Sequence, residues 1–373
     1  MKETTMRDVA AKANTSVSTV SRALNNDLFI REETRKRVQE VARSMGYIPN
    51  PAAQFLRSKR SKLIGVILPD MVDSFFYHIY QALQVRLSKE GWVTLVTFSE
   101  ESVEKERELL AALVTHKVSG IVMSVCHSSK NNELYQSIID GGIPIVFFDR
   151  VPTRMRASSV NIDNEGAVFE LTEHLIQSGY KNIVHVAGPP HLPPSRPRRK
   201  GYEEAMKKYK MPVQTYSCGN LDIDSGAAVA VDLIEDLDKI DAVVTCDDMI
   251  AIGLVHELQR RGFRIPSDVA VSGIGGSVMN TVVFPEITTI EFPMPEMGSC
   301  AADLVMSMIR EVEKEKERER KEKERMEKEG GAETGKKIGV VVRKKIKTKT
   351  IILKPTTRYR ASTEKDSGEG VEV

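Results

Sequence analysis

Arg22 is the residue whose type and setting point most directly to chemistry. It stands in Ser16-Val17-Ser18-Thr19-Val20-Ser21-Arg22-Ala23-Leu24-Asn25, where Val17, Val20 and Leu24 recur at helical spacing. That pattern leaves Ser18, Thr19, Ser21, Arg22 and Asn25 on the outward face. A guanidinium so placed can make a paired hydrogen bond to guanine O6 and N7, worth roughly 1–3 kcal/mol of discrimination. Ser16, Thr19, Ser21 and Asn25 suit phosphate oxygens. The plainer alternative is a solvated arginine on an ordinary surface helix. Signals for catalysis are weak by comparison. There is no G-x-x-x-x-G-K-[ST] loop, no H-E-x-x-H and no G-x-S-x-G elbow. Gly273-Ile274-Gly275-Gly276 lacks the full dinucleotide fingerprint, and the seven histidines are scattered. The four cysteines (Cys126, Cys218, Cys246, Cys300) form no C-x-x-C pair. A zinc site or disulfide framework is therefore not expected, and neither is a metal or cofactor.

The elements around Arg22 must hold its helix against a surface. Val9, Ala10 and Ala13 give a first helix its apolar face, and Asn14-Thr15 breaks the chain. A tight turn needs a residue tolerant of positive φ, for which Asn is second only to Gly. Ser16 suits the N-cap of the second helix. A third helix, Glu32–Met45, closes a small core through Val38, Val41 and Met45, and Gly46 stops it. Helix–tight turn–helix is a DNA-reading geometry, with the second helix in the major groove. Next comes Asn50-Pro51-Ala52-Ala53-Gln54-Phe55-Leu56-Arg57. Asn50 can cap and Pro51 fits the first helical position. A helix under two turns is far below the roughly 12–15 residues needed for stability in water, so it is expected to fold on docking. Leu56 would then be an apolar wedge for a minor-groove base step. A plain flexible linker is the alternative.

The 373 residues are 41% hydrophobic and 28% charged, which describes globular domains, two or three by length. Residues 1–62 carry 13 Lys and Arg against 6 Asp and Glu, a net of +7. The remaining 311 residues carry −5 within the whole-chain +2. A basic head on an acidic body suggests a polyanion-binding module joined to something else. No apolar run reaches the roughly 18 residues of a membrane span, and the N-terminus lacks an apolar signal core. A reducing cytoplasm fits the cysteine usage.

The middle of the chain alternates apolar runs with amphipathic stretches. Strands are expected at Leu63–Leu68, Val93–Phe98, Gly120–Ser124, Pro144–Asp149, Ile183–Ala187, Ala242–Cys246 and Val269–Gly273. Helices are expected at Phe75–Glu90, Glu104–His116, Asn164–Ser178, Arg198–Lys210, Ser225–Leu237 and Met249–Arg261, several ended by glycine. Such alternation implies crossover units and doubly wound sheets, two of them in this length. Residues 311–329 hold 17 charged side chains out of 19, which suggests a solvated helical extension or a disordered insertion.

The head resembles the LacI/GalR family of bacterial transcription regulators. The resemblance rests on Arg7-Asp8-Val9-Ala10-Ala11-Lys12-Ala13 and the run from Ser16 to Asn25, with Asn14 replacing the family's usual glycine. It extends through Gly46-Tyr47-Ile48-Pro49-Asn50, Phe147-Phe148-Asp149-Arg150, Cys246-Asp247-Asp248-Met249 and Arg358-Tyr359-Arg360-Ala361-Ser362. It implies Val17, Ser18 and Arg22 at base edges, Thr5, Thr34, Asn50 and Ala53 among the DNA-contacting residues, and Leu56 as the leucine that kinks the operator. It implies an α/β fold: a three-helix head at 1–48, a hinge helix and linker at 49–62, and two Rossmann-like parallel-sheet subdomains of periplasmic-binding-protein type. These would span 63–160 with about 291–325, and 161–290 with about 336–363, with a charged insertion at 311–335.

The resemblance further implies a small-molecule effector, possibly a sugar, held between the subdomains by Asp70, Phe75, Phe76, Ser124, Asp149, Arg198, Leu221, Asp248 and Gly275. Ligands in open parallel sheets sit beyond the carboxyl ends of strands, where these residues fall. Leu221 stands where a purine-binding branch has an aromatic stacker, which favours a non-planar effector. Gly275-Gly276 replaces the family's usual acidic pair. The resemblance implies a repressor that binds palindromic double-stranded DNA as a homodimer, and with no leucine heptad at residues 366–373 a dimer is expected rather than a tail-assembled tetramer. The alternatives are a DNA-binding protein with a vestigial pocket, a periplasmic-type sugar binder, and an enzyme on this body. The basic head argues against the second, and the missing motifs argue against the third.

Overall fold

The computed structural model describes residues 4–24, 26–27, 29–47, 61–70, 74–126, 130–329 and 347–365. Asn25 and the junction bearing Asn50, Ala53 and Leu56 lie outside them, so the hinge expectation is neither supported nor opposed. The chain divides into two units, Met1–Ser61 and Lys62–Val373.

The head contains α1 (Met6–Lys12), α2 (Val17–Leu24) and α3 (Glu32–Ser44). Thr5 caps α1 in a reciprocal box: Thr5 N–H donates to Asp8 Oδ2 at 2.8 Å, and Asp8 N–H donates back to Thr5 Oγ1. The turn residue Asn14 has φ 47°, the left-handed conformation that the break requires. Ser16 Oγ accepts from Thr19 N–H at 3.1 Å and so caps α2. Val9, Ala10, Ala13, Val20, Ala23, Val38 and Ala42 form the core, with Leu24, Val41 and Met45 packed against it. Two expectations need correction. Ser21 is buried rather than outward, because α2's buried stripe is broad enough to take in its flank. Val17, expected in the apolar face, is 42% exposed. It falls within the stripe by angle, but at the helix's first residue, clear of the core.

The trunk has two six-stranded sheets. The first contains β1 (Leu63–Leu68), β2 (Val93–Phe98), β3 (Gly120–Met123), β4 (Ile145–Phe148) and β5 (Ser158–Ile162). The intervening helices are α4 (Ser74–Ser88), α5 (Val103–Thr115) and α6 (Asn132–Asp140). The chain then crosses to α7 (Asn164–Gln177), β6 (Ile183–Ala187), α8 (Ser195–Lys208), β7 (Thr215–Ser217) and α9 (Ile223–Ile234). It continues with β8 (Ala242–Thr245), α10 (Asp248–Arg260), β9 (Ala270–Gly275) and β10 (Thr288–Glu291). Helix α11 (Met294–Glu329) returns to the first sheet, packing on α4 and β3. Strand β11 (Thr350–Leu353) pairs with β5, and β12 (Thr356–Arg358) pairs antiparallel with β10. The described strand pairs are otherwise parallel. The chain therefore passes between the sheets three times.

Seven strands and six helices fall within a few residues of their expected positions. Strands β5, β7, β10, β11 and β12, helix α6 and residues 294–310 of α11 are not expected from the sequence. The segment expected to join the second subdomain from about 336 is split, because β11 extends the first sheet and only β12 extends the second. Residues 311–329 are the continuation of α11, which is the helical-extension reading. Helices α9 and α10 cross closely: a Cβ on Gly253 would lie 2.0 Å from Ile223 O, and one on Gly226 would lie 2.4 Å from Ile250 O. That contact seats α10, whose first residue, Asp248, borders the cleft.

Candidate functional site

The strand ends of both sheets face a common cavity of about 1080 Å³. Its size and its mix of aromatic, aliphatic and polar lining suit a small-molecule ligand. Of the nine residues expected there, Asp70, Phe75, Phe76, Asp149, Arg198, Leu221, Asp248 and Gly275 line it. Ser124 does not line it among the described residues. It follows β3 but is fully buried, and among the described residues its Oγ has no hydrogen-bond partner. The sequence reading passed over Glu101, Arg150, His191, Asn220, Phe292 and Met294, which also line the cavity. Each lies just beyond a strand end, and Arg150 belongs to the quoted Phe147–Arg150 run.

The first subdomain contributes an aromatic floor and an ion pair. Phe75 meets Phe76 edge-on at 5.1 Å and Phe292 at 5.8 Å, and Phe76 meets Phe148 at 6.2 Å. Arg150 lies over the Phe76 ring at 5.7 Å, and its Nη1 donates to Glu101 Oε1. Asp149 adopts φ 56°, which turns the chain sharply after β4.

The second subdomain contributes two nearly buried charges. Arg198 Nε donates to Asn164 Oδ1 at 2.8 Å, and its Nη1 donates to the Cys246 carbonyl at 2.7 Å. Among the described residues its Nη2 makes no hydrogen bond, and the guanidinium carbon is 5.4 Å from the Phe292 ring centre. Asp248 Oδ1 accepts from Thr289 Oγ1 at 2.6 Å, and Oδ2 accepts from Ser277 N–H at 2.7 Å. Burial raises its pKa, opposed by those two donors. The glycines beside it leave the room it needs. A Cβ on Gly273 would come 2.2 Å from Asp248 Oδ1, and one on Gly275, where φ is 141°, would come 3.1 Å from Oδ2. A second carboxylate at 275 would crowd the one already there, which gives Gly275-Gly276 a physical reason in this chain.

On the head, Ser18 and Arg22 are exposed on one side of α2, Ser16 and Val17 are exposed at its start, and Thr19 is half-buried. Ser16 Oγ bonds Ser18 Oγ at 2.8 Å and Thr19 Oγ1 at 2.9 Å, so this hydroxyl cluster is organised before any ligand arrives. Thr5 is exposed beside α1 and Thr34 is half-buried on α3. Ser21 does not join the outward cluster, as its burial shows.

Head and trunk together define a nucleic-acid-binding regulator with a periplasmic-binding-type body. Residues 5–50 match the bacterial regulatory proteins, lacI family, and residues 172–328 match the periplasmic binding protein-like domain. The chain is 31% identical to the ribose operon repressor of Bacillus subtilis (strain 168), over 82% of this chain and 92% of that protein. It is 30% identical to catabolite control protein A of Priestia megaterium, over 81% of this chain and 91% of that protein. The chain belongs to the lacI family of bacterial regulatory proteins. Its fold matches that of the lac repressor dimer bound to operator and the anti-inducer ONPF, with a TM-score of 0.78 and 22% identity over 97% and 99% of the two chains. Among the described residues no helix is long and apolar enough to cross a membrane, and no group of three or more His, Cys, Asp or Glu could hold a metal.

Proposed function

We propose that this protein is a transcriptional repressor whose hold on a palindromic operator is set by a neutral polyhydroxy effector, a sugar or close relative, in the trunk cleft. The carrying observation is the cleft itself: eight of the nine residues expected from sequence meet at the strand ends of both sheets. The lining is rich in carboxylates, with Asp70, Asp149, Asp222 and Asp224 beside the Glu101–Arg150 pair. Carboxylates accept hydroxyl donors and repel phosphate or carboxylate ligands, so a neutral polyol fits better than a sugar phosphate. Arg198 supplies a cationic donor, and the Phe75–Phe76 floor offers an apolar face for a sugar ring.

On DNA, α2 would lie in the major groove with Arg22 on a guanine and the Ser16–Ser18–Thr19 hydroxyls on phosphates. A second copy would supply the other half-site. Exposed Tyr77 and Val85 on α4 and Val93 and Leu95 on the edge strand β2 suit burial against that copy, as do Val278, Val282 and Phe284. Calorimetric titration with neutral sugars, nucleosides and sugar phosphates tests the effector class. A neutral polyol that binds and changes operator affinity supports the reading. Binding by none, with operator affinity unaffected, would leave a vestigial cleft.

A further inference from the structure

Two cysteines that the proposed function does not use face each other beneath the cleft wall. Cys218 follows β7 and Cys246 follows β8, while β6 runs between these strands. Cys218 N–H donates to the Ala187 carbonyl of β6 at 3.1 Å, which draws it inward over that strand's end. The next residue of β6's chain is Gly188. A Cβ there would lie 3.3 Å from Cys246 Sγ and 2.7 Å from Ser195 Oγ, so the missing side chain leaves room for the Cys246 sulfur. Their Sγ atoms are 3.7 Å apart. Closing to a disulfide length of about 2.05 Å needs an approach of roughly 1.7 Å, which the two side chains and the backbone that carries them must share.

The pair is wired to the cleft. Cys246 lines the cavity, its carbonyl holds Arg198 Nη1 at 2.7 Å, and Asp247 and Asp248 follow it directly. Moving the Cys246 backbone therefore moves the anchor of Arg198, a cationic donor on this wall. It also moves the start of α10.

We propose that Cys218 and Cys246 are a modification site: a peroxide converts them to an intramolecular disulfide, and the disulfide repositions Cys246 and Arg198 at the cleft wall. The Cys218 thiol gives up its proton, its thiolate attacks one peroxide oxygen, the O–O bond breaks, and the departing hydroxide takes up that proton as water. The Cys246 sulfur then attacks the resulting sulfenic sulfur. The S–S bond forms as the S–O bond breaks, and the departing hydroxide takes the Cys246 proton as water. Two thiols lose two electrons, and one peroxide becomes two waters. The hydrogen-bonding contact with Cys246 holds the Cys218 thiol below the ordinary thiol range, which suits it to the first step.

The site is independent of the effector reading; only its consequence for the cleft rests on that reading. The full-length protein is treated with hydrogen peroxide, denatured, titrated for thiols and peptide-mapped by mass spectrometry. Titratable thiols are expected to fall from four to two, with a cross-linked Cys218–Cys246 peptide two hydrogens lighter, and dithiothreitol should restore all four. Cys218→Ser should abolish the cross-link and Cys300→Ser should leave it. Survival of all four thiols, sulfinic acid on either residue, or a linkage between two chains would overturn the site, and wild-type mapping alone decides this if the variant folds poorly. Amide exchange in peptides covering 195–201 and 246–252, compared before and after oxidation with no effector present, should change several-fold. Unchanged exchange there would remove the proposed link to the cleft.

Discussion

His185 gives the trunk a pH dependence that can be worked out in advance. It sits in the middle of β6, fully buried, with Nδ1 bonded to the Val244 carbonyl at 2.8 Å and, among the described residues, no hydrogen-bond partner at Nε2. The ring stacks on Tyr202 at 5.3 Å. Burial pushes its pKa down to about 4 from the ordinary 6.5, and the nearby Arg198 and Arg199 push the same way against the Val244 bond. The folded state thus holds a neutral ring where the unfolded chain takes up a proton. Stability is complete above pH 6.5, is lost as pH falls toward 4, and loses no more below that. The full gap corresponds to about 3 kcal/mol, and the fall between pH 7 and pH 5 to about 2 kcal/mol. Urea unfolding followed by circular dichroism, at fixed protein concentration and several pH values, reads this directly. His185→Phe keeps the ring against Tyr202 and removes the titrating group. Its stability at pH 7 should drop by about 1 kcal/mol for the lost hydrogen bond, while the wild-type decline toward pH 5 should shrink by about 2 kcal/mol. Parallel pH profiles for the two proteins would refute the assignment of that decline to His185.

Three further perturbations test the sites. Arg22→Ala should weaken operator binding by about 1–3 kcal/mol and relax base preference at one position per half-site, read by fluorescence anisotropy on matched and mismatched duplexes; a uniform loss on all sequences would assign Arg22 to phosphate instead. Gly275→Asp should lower stability by about 1–3 kcal/mol and weaken effector binding, since it forces a side chain into a conformation that favours glycine and sets a second carboxylate beside Asp248; a stable variant with unchanged affinity counts against the crowding argument. Glu106→Gln should cost about 1–3 kcal/mol in unfolding free energy. The buried carboxylate accepts from Tyr135 OH, from Asn131 Nδ2 at 2.8 Å and from Cys126 N–H at 2.9 Å, and an amide must turn a donor toward one of them.

The parts most legible in the sequence were those governed by short-range rules. Asn14 at a positive-φ turn, Ser16 as a cap, and strands β1, β2 and β6 at their full lengths follow from local pattern alone. Strand β5 was not legible, because Ser158-Ser159-Val160-Asn161-Ile162 is too polar to read as a buried strand. It is buried by β4 on one side and by β11 on the other, and β11 lies almost two hundred residues downstream. Ser21 failed for a similar reason: only the packing of three helices decides how wide the buried stripe on α2 is. In the cleft, resemblance and strand ends together located residues that follow β1, β4, β8 and β9. They could not show that Asp248 is already held by Thr289 and Ser277, since Thr289 arrives from β10. Partners distant in sequence leave no local trace.

The same long-range closure explains how one small molecule could govern the trunk. The two sheets are joined by three short passages, after Ile162, after Glu291 and after Leu353. Three connections so close to the sheets resist sliding or separation and leave rotation about the connections as the cheap motion. Phe292 sits in the second passage, edge-on to Phe75 from α4 and beneath Arg198 from α8. It therefore touches the aromatic floor of one subdomain and the cation of the other at the pivot itself. A ligand that packs on Phe75 while hydrogen-bonding Arg198 must fix the distance between the two walls, and a rotation about Phe292 is the change that would adjust it. Differential affinity for the two rotated states is all that coupling to the head requires, and two hydrogen bonds made in only one of them reach the 1–3 kcal/mol range in which such couplings fall.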